Sequence, residues 1–242
     1  MKAVRYVVPN LFTALAFCLG LWSVFLSHGG ELERAGWLIV WCALLDIADG
    51  AAARLLKATS PFGAQFDSLA DVVAFGIAPA VLAYQAAGSF FGVATGSPTR
   101  QWIAAACVFF ALMAALRLAR FNVTEPERQA KWFRGIPTTL AGSIVATAIV
   151  VAARGLPADH AVGVTILPAA LLALGLAMIS TLRFPKIAKR GSSAVNAFQV
   201  VLLVAVYACG ALRVAPEFLL AVAASFALLG ILAGLLAGDA GR

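Results

Sequence analysis

Residues 46–71 read DIADGAAARLLKATSPFGAQFDSLAD, and this stretch joins two long apolar segments. It contains two pairs of aspartates, Asp46 with Asp49 and Asp67 with Asp71. Spacings of three and four residues place the members of each pair on one face of a helix. The short connection lets the two pairs face each other. The stretch therefore predicts a helical hairpin that brings four carboxylates together.

The composition excludes a soluble globular protein. Hydrophobic residues make up 62% of the 242 residues and charged residues only 12%, whereas soluble domains contain about 25% charged residues. A chain this apolar is not disordered either. The net charge of +7 then indicates contact with membrane headgroups, where basic residues of membrane proteins gather, and not with nucleic acid.

Eight apolar stretches have about the length that a membrane-spanning helix needs. They occupy residues 11–28, 35–57, 67–90, 101–121, 138–153, 161–181, 195–212 and 215–237. The loops between them are short and leave no room for a soluble domain. We therefore predict an all-α polytopic membrane protein with about eight transmembrane helices, which forms one membrane-embedded domain over residues 1–242.

Lysine and arginine are distributed unevenly between the two ends of these stretches. If the N-terminus is cytoplasmic, fourteen of the eighteen basic residues lie on the cytoplasmic side. Arg34, Arg100, Arg154 and Arg213 lie on the outer side. Cytoplasmic loops carry the excess of Lys and Arg in membrane proteins. Both termini, and the turn between the two aspartate pairs, are therefore predicted to be cytoplasmic.

The negative charges of the four aspartates must be compensated if these residues lie within a membrane. An aspartate at the centre of a membrane-spanning helix costs about 2.5–3.5 kcal/mol, and clustered carboxylates repel one another unless cations neutralise them. The stretch contains no His or Cys, and oxygen ligands alone select hard cations such as Mg²⁺ or Mn²⁺. Four carboxylates are enough for two such ions.

Two glycines and an arginine accompany the aspartates. Gly50 follows Asp49, and Gly63 precedes Asp67 by four residues. Glycine lets a bulky ligand approach the backbone closely, and the guanidinium of Arg54 suits a phosphate. Together with two divalent cations, these residues predict a pyrophosphate site.

The same residues resemble the signature of the CDP-alcohol phosphatidyltransferase family at every defined position. The signature positions in this chain are Asp46, Asp49, Gly50, Ala53, Arg54, Gly63, Asp67 and Asp71. Further motifs within a core of residues 5–140 are similar to the phosphatidylserine synthase branch of that family, at residues 5–13, 53–63, 67–79, 120–122 and 133–137. The C-terminal helices, residues 161–237, match in hydropathy more than in motif. The resemblance implies a core of six helices followed by two C-terminal ones.

The resemblance also implies an activity and a location. Family members displace CMP from a CDP-linked lipid with an alcohol, and this branch uses CDP-diacylglycerol and L-serine. The chain would act among the lipids of a bacterial inner membrane, as a homodimer, with the site facing the cytoplasm.

Residue roles follow from the resemblance in the same way. Asp46, Asp49 and Asp67 would ligate the metals, and Asp71 would take the proton of the alcohol and also contact metal. The residues implied to line the CDP-lipid site are Gly50, Arg54, Gly63 and Ser68.

Other polar residues near the cytoplasmic side are further candidates. Asn10 and Thr13 would line the nucleotide site from the first stretch, with helix capping as the alternative. A second group would bind serine or the lipid phosphate, with anchoring to anionic headgroups as the alternative. It consists of Arg117, Arg120, Asn122, Lys131 and Arg134.

Three other functions remain open at this stage. A sister enzyme would use the same metal site with glycerol phosphate, inositol phosphate or choline. A cation transporter is disfavoured because transporter sites tend to lie near the membrane midplane between repeats. An inactive scaffold is disfavoured because every signature residue is intact.

Overall fold

The computed structural model describes residues 4–56, 60–123, 132–155, 161–185 and 192–239. The helices of this part of the chain are α1 (Val4–His28), α2 (Leu32–Leu55), α3 (Pro61–Asp71), α4 (Ala78–Ser89), α5 (Pro98–Val123), α6 (Thr138–Ala153), α7 (Leu167–Ile179), α8 (Ser193–Leu212) and α9 (Pro216–Asp239). Two π-helical segments, Val72–Ile77 and Val162–Ile166, lead directly into α4 and α7. Two short strands are β1 (Trp132–Arg134) and β2 (Arg183–Pro185).

The prediction of an all-α polytopic membrane protein is confirmed. Seven helices of the described chain are long and apolar enough to cross a membrane: Pro9–His28, Leu32–Ala53, Pro61–Ser89, Pro98–Val123, Val162–Ile179, Ser193–Leu212 and Pro216–Leu235. The remaining predicted stretch is the shorter apolar helix α6. Each of the eight predicted stretches therefore contains a helix in the described part of the chain.

The third span begins earlier than the predicted residue 67. The side chain of Ser60 caps α3 by accepting a hydrogen bond from the Gly63 amide at 3.0 Å, and Pro61 occupies the first turn. Serine at the N-cap and proline at the first helical position are both favourable. Asp67 consequently lies inside α3, and Asp71 is its last residue.

The π-helical segment that follows Asp71 is held by glycines on two neighbouring helices. A Cβ atom on Gly20 of α1 would lie 2.9 Å from the Cα of Ala74, and one on Gly142 of α6 would lie 2.9 Å from the Cα of Phe75. Small residues allow this close approach of helix backbones. The contacts hold the end of α3 in place between α1 and α6.

A two-stranded ribbon joins the loops after α5 and α7, and the sequence did not predict it. Phe133 of β1 lies opposite Phe184 of β2 in an antiparallel pair. The Phe184 ring is buried and packs edge-on against the ring of Phe226 of α9, with the two ring centres 5.2 Å apart. Strands of three residues are too short to show a periodic pattern.

Basic residues predicted for the outer side meet at the end of the bundle where α2 begins. Arg154 pairs with Glu33 at 2.9 Å and donates a hydrogen bond to the carbonyl of Arg213 at 2.9 Å. The Arg213 guanidinium lies 4.3 Å from the centre of the Trp41 ring. The aspartates lie towards the other end of α2.

Replacement of Gly142 with alanine should destabilise the protein. The new Cβ would lie 2.9 Å from backbone atoms of Phe75, and overpacking of this kind costs about 1–3 kcal/mol. The melting temperature of the purified protein in detergent measures the effect. Gly29→Ala is the matched control, because its Cβ would meet only ordinary contacts at 3.5 Å or more. Equal melting temperatures for the two variants would contradict the close packing described here.

Candidate active site

Three of the four aspartates converge between α2 and α3. One carboxylate oxygen each of Asp46, Asp49 and Asp67 lies within 4.8 Å of the other two. Asp49 is buried, and the other two are partly buried. A Mg²⁺ ion takes oxygen ligands at about 2.0–2.1 Å, so small side-chain movements would let these oxygens share one ion. The residues therefore fit a hard divalent cation.

Asp71 is not a member of this cluster of three among the described residues. It lies one helical turn after Asp67, at the junction of α3 with the π-helical segment. Its charge interacts with those of Asp46 and Asp67. The structure therefore places Asp71 beside the cluster, where a base could act next to a metal-bound group.

Two threonine hydroxyls from neighbouring helices bind the cluster. Thr13 of α1 donates a hydrogen bond to Oδ2 of Asp49 at 3.0 Å, and Thr139 of α6 donates one to Oδ2 of Asp46 at 3.2 Å. Thr13 was predicted at the nucleotide site, whereas Thr139 was missed. The available signal was a polar pair, Thr138 and Thr139, at the start of a mostly apolar helix.

A cavity of about 390 Å³ opens beside the cluster between α1, α2 and α3. Its lining includes the predicted site residues Asn10, Thr13, Asp49, Gly50, Gly63, Asp67 and Asn122, together with Ser60 and Gln65. A Cβ atom on Gly63 would lie 3.1 Å from Ser60 Oγ and 3.2 Å from Asn10 Oδ1. A larger residue at position 63 would therefore displace polar groups of the cavity.

Asn122, which was grouped with basic residues as a candidate for binding serine or the lipid phosphate, lines this cavity. Its amide nitrogen donates hydrogen bonds to Ser68 Oγ at 2.9 Å and to Gln65 Oε1 at 3.2 Å. The Ser68 hydroxyl also bonds to the carbonyl of Ala64 at 3.1 Å. Ser68 thus contributes to the site indirectly, because its hydrogen bond with Asn122 holds that residue in the wall of the cavity.

The arrangement agrees with a comparison of the whole sequence. The profile of the CDP-alcohol phosphatidyltransferase family matches residues 6–182. The chain belongs to this family. Members of the family use divalent cations, and in this transferase the cluster of Asp46, Asp49 and Asp67 could bind one.

The chain is also similar to individual named proteins. The CDP-diacylglycerol–serine O-phosphatidyltransferase of Helicobacter pylori is 37% identical over 184 residues, which cover 76% of this chain and 74% of the relative. The enzyme of the same name from Bacillus subtilis is 32% identical over 136 residues, covering 56% and 71%. The archaetidylserine synthase of Methanothermobacter thermautotrophicus is 30% identical over 190 residues, covering 77% and 72%.

Arg117 is a buried basic residue whose charge reaches the aspartates of the transferase. It is buried in α5 and donates a hydrogen bond from Nη1 to the Thr138 hydroxyl at 2.9 Å. Its charge interacts with those of Asp71 and Asp46. Its Nε atom has no hydrogen-bond partner within the described ranges. A buried cation next to four carboxylates offsets part of their repulsion.

Arg120, in contrast, binds backbone carbonyls at the end of α7. It donates hydrogen bonds to the carbonyls of Ile179 at 2.6 Å and Ser180 at 3.3 Å, and to that of Arg134 at 3.4 Å. Cations are favourable at the C-terminus of a helix, where carbonyls lack partners within the helix. These contacts hold α5, α7 and the loop before α6 together.

The remaining predicted residues are only partly described. Arg134 lies in β1 with an exposed side chain. For Arg54 the structure describes the backbone in α2 but not the side chain, and Lys131 lies outside the described residues.

Replacement of Arg120 with alanine should lower stability more than substrate affinity. The variant leaves carbonyls at the end of α7 without a donor, which costs about 1–3 kcal/mol. We expect a lower melting temperature, with a change of less than about twofold in the KM for the alcohol substrate. Arg34→Ala is the control, because its only described ion pair is exposed and such pairs contribute little. A raised KM with an unchanged melting temperature would instead support substrate binding by Arg120.

Proposed function

We propose that this transferase moves the phosphatidyl group of CDP-diacylglycerol to L-serine, which yields phosphatidylserine and CMP. The observation that carries the proposal is the convergence of three aspartate oxygens within 4.8 Å beside a polar cavity. The choice of serine is supported by the relatives, since those from Helicobacter pylori and Bacillus subtilis are named for CDP-diacylglycerol and serine.

The cavity is the proposed site of the cytidine diphosphate group. Its volume of about 390 Å³ is within the usual range for small-molecule sites. Amide groups of Asn10, Gln65 and Asn122 offer hydrogen bonds to the nucleotide. The first turn of α3 also lines the cavity, and a helix N-terminus favours phosphate. Arg54 is proposed to bind the pyrophosphate.

The acyl chains are proposed to extend from the cavity into the bilayer. The apolar side chains of Leu11 on α1 and Phe62 on α3 are largely exposed, at 65% and 69%. Each is adjacent in sequence to a cavity residue, Asn10 and Gly63 respectively. Exposed apolar side chains beside a polar cavity suit a substrate with a charged head and a lipid tail.

Asp46, Asp49 and Asp67 are proposed to bind two Mg²⁺ or Mn²⁺ ions, with a further contact from Asp71. When bound, such ions neutralise the pyrophosphate and stabilise the negative charge on the departing CMP oxygen. The three aspartates lie on two helices, so the hairpin of α2 and α3 sets their spacing. The cluster meets the cavity at Asp49 and Asp67, and this contact supports binding of the pyrophosphate beside the ions.

Asp71 is the proposed general base. Its carboxylate accepts the proton of the serine hydroxyl as the hydroxyl oxygen forms a bond to the phosphorus on the lipid side. The bond from that phosphorus to the CMP oxygen breaks, and CMP leaves with the electron pair. The Nε atom of Arg117, with no described partner, is proposed to bind the serine carboxylate or the lipid phosphate. Lys131 and Arg134 are proposed to add positive charge there.

The proposal includes the orientation and assembly of the enzyme. The excess of basic residues near the aspartate end of the helices supports a site at the cytoplasmic face, where CDP-linked substrates and serine are available. Both termini would then be cytoplasmic, in a bacterial inner membrane. Pairing into a homodimer is carried over from the family.

An acceptor screen tests the proposed substrate. Purified enzyme receives CDP-diacylglycerol and Mn²⁺, and CMP release is measured with each alcohol in turn. We expect release with L-serine, loss of release with EDTA, and recovery on addition of excess Mn²⁺ or Mg²⁺. Release only with glycerol phosphate, inositol phosphate or choline would keep the metal site and reject serine. No release with any alcohol would reject the enzymatic function and favour a transporter or a scaffold.

Replacement of Asp71 with asparagine should lower kcat by about 10²–10⁴-fold, the usual contribution of a general base. Because the variant keeps the cluster of three aspartates, it should still bind CDP-diacylglycerol in the presence of Mn²⁺, despite the loss of the proposed metal contact from Asp71. Equilibrium binding and CMP release measure the two properties separately. The control is Glu217→Gln, which removes an exposed carboxylate from the first turn of α9. Near-normal turnover by the Asp71 variant would refute its role as base.

A further inference from the structure

We infer that Thr13 and Thr139 are positioning residues for the metal centre, each acting through the carboxylate that its hydroxyl binds. Thr13 holds one oxygen of Asp49, and Thr139 holds one oxygen of Asp46. Each bond restrains the rotation of that carboxylate. The inference rests on the proposed function, because it assumes that the cluster binds metal.

The aspartates need such support because they share a helix. Asp46 and Asp49 lie three residues apart on α2, and the terminal torsion of an aspartate is broad and weakly restrained. Mutual repulsion would turn the two carboxylates away from each other in the absence of a cation. A hydroxyl from a neighbouring helix resists that rotation, since the helix positions are set by packing elsewhere.

Thr13 is well placed for this role because it is buried and stiff. Its residue exposure is 4%, and a β-branched side chain in a helix has few rotamers. The hydroxyl lies 3.2 Å from the carbonyl of Pro9 and 3.0 Å from Asp49 Oδ2. The bond to Asp49 is thus the shorter of the two, although a threonine in a helix commonly bonds to its own backbone.

The position of Thr139 is set by the segment that precedes it. Gly135 has a φ angle of +71°, and a Cβ atom there would collide with the carbonyl of Met178. The amides of Gly135 and Ile136 donate hydrogen bonds to the carbonyls of Leu182 at 2.9 Å and Ala177 at 3.0 Å. These bonds fasten the start of α6 to the end of α7.

Arg117 secures the same segment from another side. Its bond to the Thr138 hydroxyl, at 2.9 Å, fixes the residue next to Thr139. The hydroxyl that binds Asp46 therefore belongs to a segment held by α5 and α7. Rotation of the Asp46 carboxylate away from the cluster would therefore break its hydrogen bond to Thr139, because this segment is held in place and cannot follow.

A threonine of α6 does not bond to an aspartate merely because it lies on this helix, as Thr147 shows. Thr147 is also buried, with 3% exposure. Its hydroxyl bonds to carbonyls of its own helix, Ser143 at 2.7 Å and Ile144 at 3.3 Å. Thr147 is therefore a matched control for the loss of a buried hydroxyl that does not reach the aspartates.

The test measures Mn²⁺ binding in the absence of substrate. Wild type, Thr13→Val, Thr139→Val and Thr147→Val are purified in detergent, and free Mn²⁺ is followed by electron paramagnetic resonance. Loss of a group that orients a metal ligand typically weakens metal binding by about 10–100-fold. We expect that loss for the variants at 13 and 139, with wild-type affinity at 147. Thr13→Ser and Thr139→Ser keep the hydroxyl and should retain most of the affinity.

Each outcome separates the inference from the proposed function. Wild-type affinity in both valine variants at 13 and 139 would overturn the positioning role while leaving the metal site intact. Failure of the wild-type protein to bind Mn²⁺ would overturn the metal site itself, and the positioning role with it. If a valine variant does not fold, the serine variant at that position decides, because a loss of tenfold or more despite the retained hydroxyl would contradict the inference.

Discussion

The mutual repulsion of carboxylates inside a membrane-spanning bundle is the constraint on which the rest of this site depends. Asp46, Asp49 and Asp67 present oxygens within 4.8 Å of one another, an arrangement that would be unfavourable in a purely apolar surrounding. Several features of the fold offset this repulsion. They are the hydroxyl donors from α1 and α6, the buried charge of Arg117, and an open polar cavity on one side. The two hydroxyls and the arginine lie on α1, α6 and α5, and the cavity lies between α1, α2 and α3, so the site requires the assembled bundle.

Backbone contacts at glycines make this assembly possible. Gly20, Gly142 and Gly135 each lie so close to a neighbouring backbone that a Cβ atom would come within 3 Å of it. They surround the segment after Asp71 and the segment before Thr139. Close helix approach at small residues is a main source of stability inside membranes, where apolar side chains gain little by leaving lipid. The same contacts therefore stabilise the fold and align the polar groups.

The sequence predicted the helical spans and the grouping of the aspartates, because hydropathy and the spacing of Asp46, Asp49, Asp67 and Asp71 are local properties. It could not reveal contacts that depend on tertiary structure. Thr139 reaches Asp46 over a separation of 93 residues, and Arg120 meets carbonyls 59 and 60 positions away. Asn122 was grouped with basic residues close to it in sequence, whereas its hydrogen bonds direct it to the cavity. The start of α3, in contrast, could have been predicted from the sequence, because Ser60 and Pro61 form a local signal for the start of a helix. A prediction from hydropathy alone does not use this signal.

The π-helical segment from Val72 to Ile77 has a consequence for the register of the third span. A π-helical turn contains more residues than an α-helical turn, and each residue of an α-helix corresponds to about 100° of rotation. The segment therefore offsets the face that α4 presents from the face that α3 presents to the cluster. If the same six residues formed a regular α-helix, each would add more rotation about the helix axis than it does in the π-helical segment. The two halves would then differ in angular phase from their present relation, and with α4 packed as it is now, Asp67 and Asp71 would turn away from Asp46 and Asp49. The π-helical form of this segment, with no polar side chain of its own, thus determines which way the aspartates of α3 face.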